Sequence, residues 1–398
     1  MLKCVTEFIS FFVVLFAAVF FSALFNRLHL PWVVALLLGG MVIGPFGFNV
    51  LQSSPTLELL GEIGLVFLMF MAGLETRIES VRHRLKEVGI LGVANSVIPF
   101  GVGAMIGTVM GLNPLGAILL GIIFVSTSVA IVVPSFEANG IFSTRLGNTT
   151  IAATIIEDIV SLLALSVLLQ AVSPTSNIPL IIFYPLLLLV LVGLRFAIPW
   201  LRMLFSYTGR RADLFQQELR LVFAMLIGIV IIFELLGLHT IIAGFFAGIL
   251  LSDSVRSRLL KEKLRAISYG LFIPIFFVLI GTKTNLQVFF EVKGAVLLAV
   301  AIIGGSIASK LVSGWLAARV IGFTNTESWL VGVATTPSLT TTLAVAFTGF
   351  EMGLLSQSVV TVLVLLSVVT TFVGPLAINY LAKKVKAEET DKKRPAIA

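Results

Sequence analysis

Glu157 and Asp158 are adjacent acids in the run Thr154-Ile-Ile-Glu-Asp-Ile-Val-Ser-Leu162, and the nearest ionisable residues along the chain are Arg145 and Arg195. Carboxylates so placed can pair with a cation, ligate a metal ion or carry a proton. Far along the chain, Lys310 follows a small-residue run, Gly304-Gly-Ser-Ile-Ala-Ser309, that lets a second helix approach closely. Neighbouring residues on a helix point about 100° apart, and residues four apart share a face. Asp158 therefore shares a face with Thr154, while Glu157 faces elsewhere with Ser161 one turn on. The spacing predicts an ion pair between Glu157 and Lys310, with Asp158 and Thr154 turned toward a cavity. Asp158 is then a hard oxygen ligand beside hydroxyls, suited to a dehydrated alkali cation. Without a cation, a carboxylate in low dielectric takes a proton. A site that holds either a cation or a proton, but not both, is the minimum machinery for exchange.

The elements that must position these residues are membrane spans. The chain has 398 residues, of which 58% are hydrophobic and 12% charged, with a mean hydropathy of +1.10. A soluble domain carries about 25% charged residues. Apolar runs of roughly 17–25 residues repeat along the chain, each long enough to cross a hydrocarbon core of about 30 Å. The expected fold class is an all-α polytopic membrane protein. Thirteen spans are predicted, at 5–25, 31–48, 57–74, 87–111, 115–136, 147–171, 179–205, 218–236, 239–251, 266–283, 294–318, 328–348 and 356–381.

The net charge of +7 does not point to nucleic acid, because its distribution is that of membrane topology. Twenty-two lysines and arginines lie at loops predicted on one side, among them Arg27, Arg77, Arg82, Arg145, Arg210, Arg256, Arg319 and Lys383. The other side carries Lys3, Lys283 and Lys293. Positive charge stays in the cytoplasm. The N terminus is therefore expected outside and the C terminus in the cytoplasm, as an odd span count requires. The first segment is read as a span and not as a cleaved signal peptide. The single cysteine, Cys4, excludes an intrachain disulfide, and His29, His83 and His239 all fall at span ends, which argues against a histidine-ligated metal. No cofactor and no enzymatic activity are expected.

Spans 1–6 and 8–13 form two halves of opposite orientation, an inverted repeat. The expected organisation of the single membrane domain is a first repeat at 1–173, a connector at 174–216, a second repeat at 217–385 and a cytoplasmic tail at 386–398. The fifth member of each half is interrupted: Ser126-Thr-Ser128 with Pro134 in one, Thr335-Thr-Pro-Ser-Leu-Thr340 in the other. In inverted-repeat transporters, broken helices meet near the membrane midplane and build the substrate site. Six ionisable residues fall within spans. Glu62 and Glu234 lie near the outer interface, and Arg195 can snorkel inward. Glu157, Asp158 and Lys310 lie deep, where a charge costs about 2.5–3.5 kcal/mol on insertion scales.

Several segments, taken in order, resemble the second branch of the monovalent cation:proton antiporters. They are Arg27–Trp32 with Gly39–Phe48, Phe67–Glu75, Ser126–Ala130, Glu157-Asp158, Gly237–Ser254, Phe276–Gly281 and Ser309-Lys310. The resemblance implies a homodimer in the lipid bilayer. Each protomer would have a dimerisation domain and a six-helix core with two crossing broken helices, working by an elevator-like movement. It implies Asp158 as ion and proton carrier, Glu157 paired with Lys310, Thr127 at the helix break, and Thr154 as the hydroxyl one turn before the carrier. An acid at 157 facing a lysine resembles the charge-moving members. Two features depart from the family pattern. Glu157 stands where aspartate is commoner, and Pro337-Ser-Leu-Thr340 replaces a charged Pro-Arg-Gly-Glu-like segment. The sequence ends at Ala398, so gating through a cytoplasmic nucleotide-binding domain is not expected.

The expected activity is exchange of Na⁺ or Li⁺ for protons, with K⁺/H⁺ exchange as the alternative, in a prokaryotic inner membrane. A compact carboxylate-and-hydroxyl site favours the smaller ions. Readings of other classes fit less well. An intramembrane aspartyl protease needs its acids on different helices. A passive channel needs ligand rings open to both sides. A cation-coupled symporter needs an organic solute.

Overall fold

A computed structural model describes residues 2–26, 31–51, 54–75, 84–172, 180–206, 217–255, 257–292 and 294–393. The Arg27 and His29 end of the opening motif, and Arg77, Arg82, His83, Arg210, Arg211, Arg256, Lys293 and Arg394 among the predicted loop cations, lie outside the described residues. Helices account for every regular element among the described residues. In the first half these are α1 (Leu2–Asn26), α2 (Trp32–Ile43), α3 (Pro55–Glu75), α4 (Leu85–Val109), α5 (Pro114–Val125), α6 (Val129–Ala138) and α7 (Arg145–Val172). Helix α8 (Leu180–Ser206) follows. The second half runs α9 (Gln217–Leu235), α10 (Thr240–Leu251), α11 (Arg258–Ile267), a π turn (Ser268–Phe272), α12 (Ile273–Thr282), α13 (Val288–Glu291), α14 (Ala295–Ile321), α15 (Asn325–Ala334), α16 (Thr340–Glu351) and α17 (Gln357–Lys393).

Each of the thirteen predicted segments contains helix. Among the described residues, eight helical stretches are long and apolar enough to cross a membrane, and shorter apolar helices such as Trp32–Ile43 and Thr240–Leu251 accompany them. Helix is the expected result, because a bilayer offers no water to satisfy free backbone groups. The fifth segment of each half is split, α5 from α6 and α15 from α16. Both split segments begin on a side-chain cap. Asn113 Oδ1 accepts the Gly116 N–H at 2.6 Å, with Pro114 at the first helical position. Thr324 and Glu327 form a reciprocal capping box on α15.

The chain folds as two compact units, each drawing on both halves. One comprises Met1–Leu24, Ala35–Thr76 and Ser166–Lys283; the other comprises Phe25–Val34, Arg77–Leu165 and Thr284–Ala398. In the first unit, glycine lets helices touch along their backbones. A Cβ on Gly40 of α2 would collide with the Val278 carbonyl of α12, and one on Gly73 of α3 with the Phe245 carbonyl of α10. In the second unit, Gly103 of α4 meets α5 at Leu120 and Gly121, and Gly314 of α14 meets Gly332 of α15. The small-residue run before Lys310 is approached closely by α4 at Gly305, through a side chain rather than backbone. Gly305 faces the Ile106 side chain, while Gly304 has open space beside it. All the deep charges lie in this second unit.

Candidate functional site

A helix break at membrane depth frees backbone groups that must find partners inside the protein. Both breaks do so, largely through each other. Ser126 and Ser128 are extended, so α5 ends at Val125. The Val125 carbonyl accepts a hydrogen bond from Lys310 Nζ. The Ser128 N–H donates to the Pro337 carbonyl at 2.7 Å. On the other side, the Thr335 carbonyl at the end of α15 accepts from Thr127 Oγ1 at 3.0 Å. Pro337 has no N–H to satisfy. The Ser338 N–H donates to Thr370 Oγ1 of α17 at 3.1 Å.

Lys310 and Glu157 stand where these breaks meet. Both are fully buried, and Lys310 Nζ lies 2.8 Å from Glu157 Oε2. The ammonium has three N–H groups and three acceptors: Val125 O, Thr127 Oγ1 and Glu157 Oε2. It also places a positive charge at the carbonyl end of α5, where the helix dipole is negative. Glu157 is equally occupied. The one Thr127 hydroxyl proton is shared between the Thr335 carbonyl and Glu157 Oε2 at 2.7 Å, and Asn95 Nδ2 of α4 donates to Glu157 Oε1 at 3.0 Å. A buried ion pair offsets its desolvation cost only with good geometry and further hydrogen bonds, and this one has both.

Asp158 differs. It is 6% exposed, and among the described residues it has no cation at ion-pair distance. Ser126 Oγ, in the first break, donates to its Oδ1 at 3.2 Å. The Thr341 hydroxyl, in the first turn of α16, lies beside it as well. The acid is therefore lined by hydroxyls from both broken helices, one from each half. Ser128 and Thr342, close to these two hydroxyls in sequence, are buried, and among the described residues their oxygens have no hydrogen-bond partner.

Glu157, Asp158, Lys310 and Thr127 thus converge. Thr127 joins the ion pair, and the hydroxyl that reaches Asp158 from the break is that of Ser126. Thr154 is fully buried one turn before Asp158, and its Oγ1 donates back to the Ile151 carbonyl at 2.8 Å. Ser161 Oγ binds the Ile122 carbonyl of α5 at 3.2 Å. The sequence reading placed Ser126 in the first break without a site role, and gave none to Asn95, Ser313 or Thr341. Asn95-Ser96 is a polar pair in the apolar middle of α4, a signal that was present and unused.

The other intramembrane charges fall in the first unit. Glu62 and Glu234 are exposed. Arg195 is 68% exposed and pairs with Asp253 at 3.5 Å, which suits a snorkelling side chain. Among the described residues, no cluster of His, Cys, Asp or Glu could hold a resident metal.

Comparison with known proteins places this arrangement in a family. Residues 12–384 match the sodium/hydrogen exchanger transmembrane family. The probable Na⁺/H⁺ antiporter 3 of Methanocaldococcus jannaschii is 33% identical over 375 residues, 93% of this chain and 95% of that protein. The Na⁺/H⁺-K⁺ antiporter GerN of Bacillus cereus is 28% identical over 376 residues, 92% of this chain and 94% of that protein. The solved structure of the sodium proton antiporter MjNhaP1 from M. jannaschii superposes with a TM-score of 0.65 at 18% identity, covering 96% of this chain and 99% of that one. At that identity the likeness shows the fold. With a family match across nearly its whole length and a full-length relative at one-third identity, this chain belongs to the sodium/hydrogen exchanger family, the monovalent cation:proton antiporters.

Proposed function

We propose that this protein exchanges Na⁺ or Li⁺ for protons across a membrane by alternating access, with Asp158 as the shared carrier. One observation carries the reading. Of two adjacent buried acids, Glu157 is saturated by Lys310, Thr127 and Asn95, while Asp158 is met by hydroxyls. A carboxylate with hydroxyl neighbours is a hard-oxygen site for a small cation. The same carboxylate, left without a cation in low dielectric, takes a proton. The two ligands exclude each other, so each crossing exchanges one for the other. Glu157 and Lys310 keep the crossed breaks together, and their charges stay within the pair.

Serine and threonine oxygens with one carboxylate favour Na⁺ and Li⁺. K⁺/H⁺ exchange is the alternative within the same site, and GerN carries both ions in its name. The reading extends to a homodimer in a prokaryotic inner membrane. The N terminus would lie outside and the C terminus in the cytoplasm, on the strength of the loop charges. Reconstitution tests it. Proteoliposomes with an interior pH dye receive Na⁺, Li⁺ or K⁺, for the wild type and Asp158→Asn. Proton movement driven by Na⁺ or Li⁺ and absent in the variant supports the assignment. A response to K⁺ alone keeps the site and changes the ion. Full activity in Asp158→Asn removes Asp158 from the mechanism.

A further inference from the structure

Asn95 touches neither the break hydroxyl at Ser126 nor Asp158, yet it closes a ring of side chains around the ion pair. Its Nδ2 donates to Glu157 Oε1 at 3.0 Å, and its Oδ1 accepts from Ser313 Oγ at 2.6 Å. Ser313 lies on α14 one turn beyond Lys310, and Lys310 returns to Glu157 Oε2 at 2.8 Å. The ring joins α4, α7 and α14. Asn95, Ser313, Glu157 and Lys310 are all fully buried. The amide orientation follows from its partners: a flipped Asn95 would set its oxygen against the Glu157 carboxylate and its NH₂ against a donating hydroxyl.

We propose that Asn95 is a positioning residue that assigns different tasks to the two acids, holding Glu157 on Lys310 so that Asp158 alone meets the transported cation. This rests on the exchange reading above. Glu157 is bonded through both oxygens in opposite senses, one toward Lys310 and Thr127, the other toward Asn95. Without the amide, the Oε1 bond is lost and the carboxyl group is free to turn about its side-chain torsions. A freed Glu157, one residue from Asp158, becomes a second acid able to approach the ion. The groups facing Glu157 are Lys310 and Ser313 from α14, Asn95 from α4, Thr127 from the break and Asp158 on its own helix. Lys310 and Asp158 are the charged ones among them. Removing Asn95 should therefore change the apparent Na⁺ affinity through Glu157.

The test uses the full chain as wild type, Asn95→Ala, Glu157→Gln and the double variant. Proton movement is read in proteoliposomes across pH. Apparent Na⁺ affinity is read in detergent from melting temperature against Na⁺ concentration, which also reports folding. Asn95→Ala should reduce transport by about tenfold, the scale of one lost buried hydrogen bond to a charge, and change the apparent Na⁺ affinity. In the Glu157→Gln background it should change that affinity by less than about twofold, because coupled residues are not additive. Ser313→Ala, with and without Glu157→Gln, repeats the cycle with a smaller perturbation if Asn95→Ala does not fold. Equal effects of Asn95→Ala in both backgrounds, or an unchanged Na⁺ affinity, overturn the clamp while wild-type exchange stands. A folded wild type that neither binds nor exchanges Na⁺, Li⁺ or K⁺ overturns the exchange reading and the clamp with it.

Discussion

The backbone N–H of Ser128 donates to the carbonyl of Pro337 at 2.7 Å, so the extended centres of two broken helices are joined directly. One break belongs to each half of the chain. Lys310 and Thr127 fasten the same crossing from the side, through Val125 O and Thr335 O. The site at Asp158 therefore depends on bonds that satisfy the backbone as much as on the residues that would hold an ion.

Thr370 supplies the acceptor for the Ser338 N–H at 3.1 Å. Thr370→Val keeps the shape and removes that acceptor, leaving a buried N–H unpaired at a cost of about 1–3 kcal/mol. We expect a melting temperature several degrees lower in detergent. Thr108→Val is the control, since its exposed hydroxyl bonds within its own helix. Equal melting of the two variants would mean that the second break does not need Thr370.

Removing one partner of the buried pair is expected to hurt more than removing both. Lys310→Met leaves Glu157 as an uncompensated charge, at about 3–5 kcal/mol. Lys310→Met combined with Glu157→Leu removes both charges and should recover much of that loss. Thermal melts of the single and double variants decide it. A double variant less stable than Lys310→Met would show that the pair contributes more than mutual compensation.

Ser126→Ala and Thr154→Val separate two candidate hydroxyls. Ser126 Oγ reaches Asp158, whereas Thr154 Oγ1 bonds the Ile151 carbonyl. Losing a ligand hydroxyl worth about 1 kcal/mol raises the apparent KM for Na⁺ roughly fivefold. The larger rise is expected for Ser126→Ala. A larger rise for Thr154→Val would return that ligand role to Thr154.

Competition at one carboxylate fixes the sign of the pH dependence. A proton on Asp158 excludes the cation, so lower pH raises the apparent KM for Na⁺. On the acid side the slope approaches about tenfold per pH unit for one proton, and it flattens once the carboxylate is ionised. Initial rates over a grid of pH and Na⁺ measure it. A KM independent of pH across the whole active range would rule out a shared site.

Gly281→Ala and Gly101→Ala should behave oppositely. A Cβ at 281 runs into the Leu37 carbonyl of α2, while one at 101 meets open space. The first should lower folded yield sharply through overpacking, and the second should be neutral or slightly stabilising in its helix. Size-exclusion profiles of both variants settle the comparison.

The sequence by itself determined the helical class, the thirteen segments, the two broken spans and the pairing of Glu157 with Lys310. These follow from local physics: apolar length against bilayer thickness, proline and hydroxyls that interrupt a helix, and the cost of a lone buried charge. Helical phase also separated Glu157 from Asp158 correctly. Phase says where a side chain points, however, and not what waits there. Which hydroxyl meets Asp158 depends on how the extended residues 126–128 turn between α5 and α6, so Ser126 takes that place and Thr127 goes to the ion pair. Thr154 shares the face of Asp158, but its hydroxyl turns back on its own helix, a common choice for threonine. Asn95 joins Glu157 across 62 residues of chain and Ser313 across 218, at the 0% exposure of a packed interior. No spacing rule reaches that far, because only the packing of α4 against α7 and α14 brings those polar groups to one another.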